Sequence, residues 1–344
     1  MGLRSVVRRV QHTGGGSYVV TLPKQWVLRY GVDKSGEVVV SVEPDGSLRL
    51  RPVGGAARER KSVRLVFEEP GVEELLREVV SYYIAGADVI EVVLRGQVQP
   101  GLARRVRSVV SARLMGVEVV EESSDSLVFQ VVLDPTSMEL EKSLARLART
   151  VGHMLEDLVR GIEGDLELLE EIPSRDDIVD KLFMFIWRQV FLLLSGWVTA
   201  RQLGVRSLGD AVIVMTAAKH LERIGDHASA MALAAARLLR GEPKCLEGFR
   251  SHVADIASLY SEAILLLGSP ERTKIEELLR RCRVLRARND ELTGGHGCTG
   301  LEVYRLLHGA RRLIDYTVDV LELALNRLAL RRLEGETGRG GQGG

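Results

Sequence analysis

Apolar residues recur at three- and four-residue intervals through the C-terminal part of the chain, a period that predicts helices. Leu140, Leu144, Leu147, Val151, Met154, Leu155 and Leu158 mark a helix opening at Ser137 and running to about Ile162. A second is expected to start after Pro173, with Ser174 as N-cap and Asp177 completing a capping box. A third runs from near Asp210 past Leu239, and helices over 244–267, 270–292 and 301–333 follow. Upstream the period shortens to two. Strands are predicted over 63–67, 89–94, 117–120 and 127–133, with helices over 72–84 and 102–115 between them, a small α+β unit. Residues 1–54 also alternate like strands, with turns at Gly14–Gly16 and Asp45–Gly46 and one or two helical turns over 23–30, Pro23 taking the first helical position.

These patterns divide the 344 residues into a β-rich head (1–54), an α+β unit (62–135), an all-α body (136–334) and a Gly-rich tail (335–344) expected to be disordered. Gly54–Ala57 followed by Arg58–Lys61 reads as a linker. The body contains a duplication. ERIGDHASAMALAAARL aligns with RRLIDYTVDVLELALNRL, placing Glu222 on Arg311 and Asp226 on Asp315, an offset of 89 residues at both positions. So long a period is a repeated three-helix unit, six helices in two bundles.

Charge changes the picture of the head. The chain is neutral overall, yet its first 64 residues hold twelve Lys or Arg against five acids. A basic head on an acidic body points to an anionic partner for the head. A segment of about 50 residues with so little helix buries too small a core alone, and dimerisation would remedy that. The three cysteines, Cys245, Cys282 and Cys298, show no C-x-x-C spacing, so neither disulfides nor a zinc ribbon are expected. No signal-peptide pattern opens the chain, and the most apolar run, Leu182 to Ala200, is interrupted by Arg188 and Gln189. A cytoplasmic protein without membrane insertion is the expectation.

The candidate chemistry is acidic. Glu222 and Asp226 stand four residues apart on the third body helix, and Asp176 and Asp180 at the same spacing on the second. Each pair shares one helical face, and two such faces opposed would offer an all-oxygen cage for a divalent or trivalent cation such as Mg, Mn, Fe or Zn. Simpler readings exist for each pair. Asp176 and Asp177 would suit a first helical turn, which ranks Asp180 above Asp176 as a ligand, and Glu222 has Lys219 three residues away. Gly225 lies between the two acids of its helix, where a glycine costs about 1 kcal/mol relative to alanine and suggests close approach of a neighbour. His227 points about 100° away from Asp226 and is not counted as a ligand.

With these residues in place, ERIGDHA together with RD-x-x-VD-x-L…RQ resembles the PhoU family of phosphate-uptake regulators. The resemblance implies that the acid pairs hold metal, and it extends through ARLMGVEVVEESSD to archaeal PhoU proteins that carry an AbrB head. The head itself, through RRVQ-x-TGG, SYVVTLPKQW and EVVV, resembles the SpoVT/AbrB domain, a swapped-hairpin barrel that binds DNA as a dimer; Lys34–Glu37 departs from its usual turn. The residues placed to meet phosphates are Arg8, Arg9 and Lys24, with Arg4 and Arg29 behind them. In the second half of the body, Arg311 replaces the first acid, so metal is expected in the first half alone, with an Arg311–Asp315 ion pair standing in for it.

Three functions compete on this reading. The first is a dimeric, DNA-binding regulator of phosphate uptake. The second is an adaptor whose body docks on a phosphate transporter's ATPase subunit or a signalling protein while the head only dimerises. A carboxylate-bridged metalloenzyme ranks last, because neither acid pair carries the Glu-x-x-His spacing of ferritin-like sites.

Overall fold

The computed structural model describes residues 6–42, 46–53, 60–96, 101–295 and 298–337. Arg4, most of the linker, Asp45 and residues 338–344 of the expected tail lie outside these. The chain forms two compact units, Met1–Arg60 and Lys61–Gly344.

The head is two antiparallel hairpins around a pair of short helices: β1 (Gln11–Thr13), β2 (Ser17–Val19), α1 (Lys24–Arg29), α2 (Val32–Ser35), β3 (Val38–Val42) and β4 (Leu48–Pro52). β1 pairs with β2 and β3 with β4, and the two sheets do not join into a closed barrel within the chain. Pro23 precedes α1 as its extended N-cap, one position earlier than expected, and Gly36 ends α2 at φ 67°, a conformation that glycine adopts without strain. Among the described residues of the head, Val32 alone is buried, while Val7, Tyr18 and Val42 are 96%, 73% and 76% exposed. Among the described residues, apolar alternation has built strands whose side chains are left mostly exposed.

The second unit begins with β5 (Ser62–Glu68), α3 (Val72–Ile84), β6 (Val89–Arg95), α4 (Leu102–Arg113), β7 (Val117–Glu122) and β8 (Ser126–Val131). The sheet order is β5-β6-β8-β7, parallel between β5 and β6 and antiparallel elsewhere. Ile90 faces Phe129 and Val92 faces Leu127 across β6 and β8, and these pack with Leu75, Val79 and Tyr83 of α3 and Val106 and Val110 of α4. Six helices follow: α5 (Leu140–Ile162), α6 (Leu166–Leu194), α7 (Leu208–Gly241), α8 (Phe249–Gly268), α9 (Arg272–Gly295) and α10 (Leu301–Thr337). The two bundles share one core, since α7 lies along α10 so closely that a Cβ on Gly309 would collide with Met231. No described helix is long and apolar enough to cross a membrane.

Three expectations need correction. α6 does not start after Pro173 but runs through it, with Asp165 as N-cap accepting from the Leu168 amide; the hydroxyl of Ser174 instead donates to the Glu171 carbonyl at 2.7 Å. Packing of the flanking turns offsets the cost of a mid-helix proline, which sequence period alone cannot register. Likewise, α5 starts at Leu140, not Ser137, whose hydroxyl donates to the Asp134 carbonyl in the preceding turn. Finally, Cys245 and Cys298 form a disulfide, leaving Cys282 as a buried thiol. The pair is 53 residues apart, brought together by the fold and invisible to a local spacing rule.

Arg188 and Gln189, which break the apolar run of α6, fasten the helices to the sheet. Arg188 is 1% exposed and donates to the carbonyls of Tyr83 (2.6 Å) and Ala87 (2.8 Å) and to Asp88 Oδ1 (3.1 Å). Gln189 donates to the carbonyls of Pro135 (2.8 Å) and Met138 (2.6 Å), and its Oε1 accepts from Ser143 (3.1 Å). A buried charge is tolerable only when its donors are used, and here they tie α6 to the end of α3 and to the segment entering α5.

Candidate cation site and basic head

Continuity of α6 through Pro173 puts Asp176 and Asp180 in mid-helix, beside Glu222 and Asp226 of α7. The capping explanation for Asp176 therefore falls away. Burial, followed by the charges of Asp226, Asp180 and Glu222, pushes the Asp176 carboxyl up to about 7. Burial also raises Asp180, to about 6; Arg113 of α4 opposes this at 3.9 Å, while Glu222 and Asp226 add to it.

The four acids are neutralised unequally. Lys219 Nζ donates to both oxygens of Glu222 at 2.9 and 2.8 Å, and Arg223 Nη1 to Asp226 Oδ2 at 3.0 Å. Asp176 Oδ1, by contrast, is buried with no hydrogen-bond partner. A Cβ on Gly225 would stand 3.4 Å from that oxygen and 3.3 Å from Val179 Cγ1, so the glycine admits the carboxylate of the facing helix. Asp176, not Asp180, is the carboxylate left without compensation, since Asp180 has Arg113 beside it. Among the described residues no group of three or more His, Cys, Asp or Glu is disposed to hold a metal ion.

The second half repeats this arrangement with one acid of each pair replaced by arginine. α9 carries Arg286 and Asp290, and α10 carries Arg311 and Asp315, both at four-residue spacing. Arg286 reaches Asp315 Oδ1 through Nε at 2.9 Å and Nη2 at 2.7 Å, and Arg311 Nη1 donates to Asp290 Oδ1 at 2.9 Å. Arg311 Nε also lies 3.5 Å from Asp315 Oδ1. Sequence reasoning finds Arg311 and Asp315 but misses Arg286 and Asp290, although their spacing is a usable signal. Arg113 has none, lying 67 residues before Asp180.

In the head, Arg8, Arg9, Lys24 and Arg29 are exposed. Arg8 and Arg9 precede β1, Lys24 opens α1, and Arg29 closes it beside the Tyr30 ring, 5.8 Å from its centroid. Arg4 lies outside the described residues. Sequence reasoning also passes over Arg49 and Arg51, two exposed residues at alternate positions of β4.

The chain thus contains a hairpin head bearing exposed arginines and a duplicated helical body in which one of four neighbouring acids, Asp176, has a buried oxygen without a partner. Residues 144–235 match the PhoU domain family, and residues 11–57 match the family described as antidote-toxin recognition MazE, bacterial antitoxin. The chain therefore carries a PhoU domain behind an N-terminal MazE/AbrB-like domain. Among solved structures, the phosphate transport system regulatory protein PhoU from Streptococcus pneumoniae aligns at 17% identity and a TM-score of 0.42, over 54% of this chain and 91% of that one. PhoU from Pseudomonas aeruginosa aligns at 19% identity and a TM-score of 0.38, over 54% and 93%. No curated protein matches the chain significantly.

Proposed function

We propose that this protein is a cytoplasmic regulator of phosphate uptake that binds DNA through a dimeric head and senses its signal through a metal-loaded body. The observation that carries the reading is the conjunction of two incomplete parts in one chain: a basic head whose described strand residues are largely exposed, and an acid cluster in which one carboxylate oxygen, Asp176 Oδ1, is buried without a hydrogen-bond partner. A second copy of the head would cover the exposed faces of β1–β4. Exposed Arg8, Arg9, Lys24 and Arg29 would then meet phosphates of the duplex, with Arg4 joining them.

In the body, Asp176, Asp180, Glu222 and Asp226 supply the oxygen donors that a hard or borderline cation prefers. The partnerless buried oxygen of Asp176 is the feature that supports such an ion, which would require the four carboxylates to draw closer together than they stand here. Bound there, it would neutralise charge that Lys219 and Arg223 leave uncompensated, and would tie α6 to α7.

A second reading is favoured by the MazE match, whose family recognises proteins: the head dimerises or grips a partner, and the body acts as an adaptor on a transporter's ATPase subunit or a signalling protein. Selection of bound fragments from genomic DNA, followed by titration at several salt concentrations, separates the two. The regulator reading predicts sequence-selective binding, and Arg8→Ala with Arg9→Ala should flatten the salt dependence by a slope of about 1 for each phosphate no longer neutralised. An unchanged slope would remove these arginines from the interface, and absence of selective binding would leave the adaptor.

A further inference from the structure

The second half of the body has not simply lost the acid cluster; its charge is reversed. Three guanidiniums, of Arg286, Arg311 and Arg312, surround Asp315, and among the described residues Asp290 is the one further carboxylate bonded to them. Arg286 alone meets Asp315 at hydrogen-bond distance, because Arg311 Nε stands 3.5 Å and Arg312 Nη1 3.6 Å away. Each guanidinium carries five N–H donors. Arg311 spends one on Asp290, whose side chain is 68% exposed, and Arg312 donates to the Tyr316 hydroxyl at 2.6 Å while lying over its ring. A site with surplus charge and unspent, convergent donors is complementary to a tetrahedral oxyanion, which offers two charges and several acceptors to forked guanidiniums.

We propose that Arg286, Arg311 and Arg312 form a binding site for a small phosphate-type oxyanion in the second half of the body, at the position where the first half gathers its carboxylates. The oxyanion displaces Asp290 from Arg311 and bridges Arg311 to Arg312, while Asp315 keeps Arg286 in place. Both arginines are rather more than a third exposed, so the anion has access without opening of the core. The proposal does not depend on metal in the first half.

Titration calorimetry of the full chain with inorganic phosphate, after chelation of metals and at constant ionic strength, tests it. Saturable binding is expected, and Arg311→Gln with Arg312→Gln should weaken it roughly tenfold or more, because charge-assisted hydrogen bonds are removed. Asp290→Asn, which removes the competing carboxylate at an exposed position, should tighten it. Circular dichroism of each variant checks that the helices persist. Absence of saturable binding, binding that survives the double substitution, or binding that disappears on chelation would each overturn the proposal, the last by placing phosphate on a metal.

Discussion

Replacing Asp176 with asparagine should stabilise the metal-free protein above pH 7 while weakening its hold on a cation. The Asp176 carboxyl is raised from 3.8 to about 7 by burial and by its acidic neighbours, so at pH 8 the folded state carries a charge it resists. Such a displacement corresponds to about 4 kcal/mol, and partial exposure of the site reduces this to about 2 kcal/mol. Because the folded state holds this proton up to about pH 7 and the unfolded state only to about pH 4, wild-type stability from this group declines as pH rises through that window. Asparagine has no such dependence. Its advantage should be absent near pH 4 and complete above pH 7, where melting of the chelated protein should rise by a few degrees. With metal added the order should invert, since the wild type gains linkage stabilisation that the variant lacks. A variant that melts lower than wild type at pH 8 in chelator would refute the account of Asp176 as an uncompensated charge.

Removal of residues 1–60 should leave a folded helical unit, because its core lies wholly in 61–344, and sedimentation should show that the main dimer interface has gone with the head. Arg188→Ala should cost about 3 kcal/mol by leaving buried carbonyls without donors; hydrogen exchange should report the end of α3 and the start of β6 loosening before the bundle.

Local periodicity made most of the architecture legible. Strands and helices of the α+β unit fall within a few residues of their expected positions, because alternation such as Ile90, Val92 and Leu94 states which face is covered. The body helices were legible for the same reason at the longer period. The start of α6 was not, because Pro173 and Ser174 carry a strong local signal for a helix beginning that packing overrides. That error hid the status of Asp176, a mid-helix charge that the sequence places in a first helical turn. The role of Arg188 was equally hidden, since a cation in an apolar run says only that it needs partners, and those lie a hundred residues earlier. The reversal of charge in the second half was half legible: Arg311 announced it, but only the packing of α9 on α10 shows Arg286 answering Asp315. The pairing of Cys245 with Cys298 had no local trace at all.

The central claim is that the two halves of the body have diverged, one gathering carboxylates for a cation and the other supplying its positive charge from arginine. Elemental analysis of the purified wild type, Glu222→Gln, Asp226→Asn and Asp315→Asn tests it most directly. Metal should be present in the wild type, fall to background in Glu222→Gln and Asp226→Asn, and stay at the wild-type level in Asp315→Asn. Equal loss from Asp226→Asn and Asp315→Asn, or no loss from any variant, would contradict it.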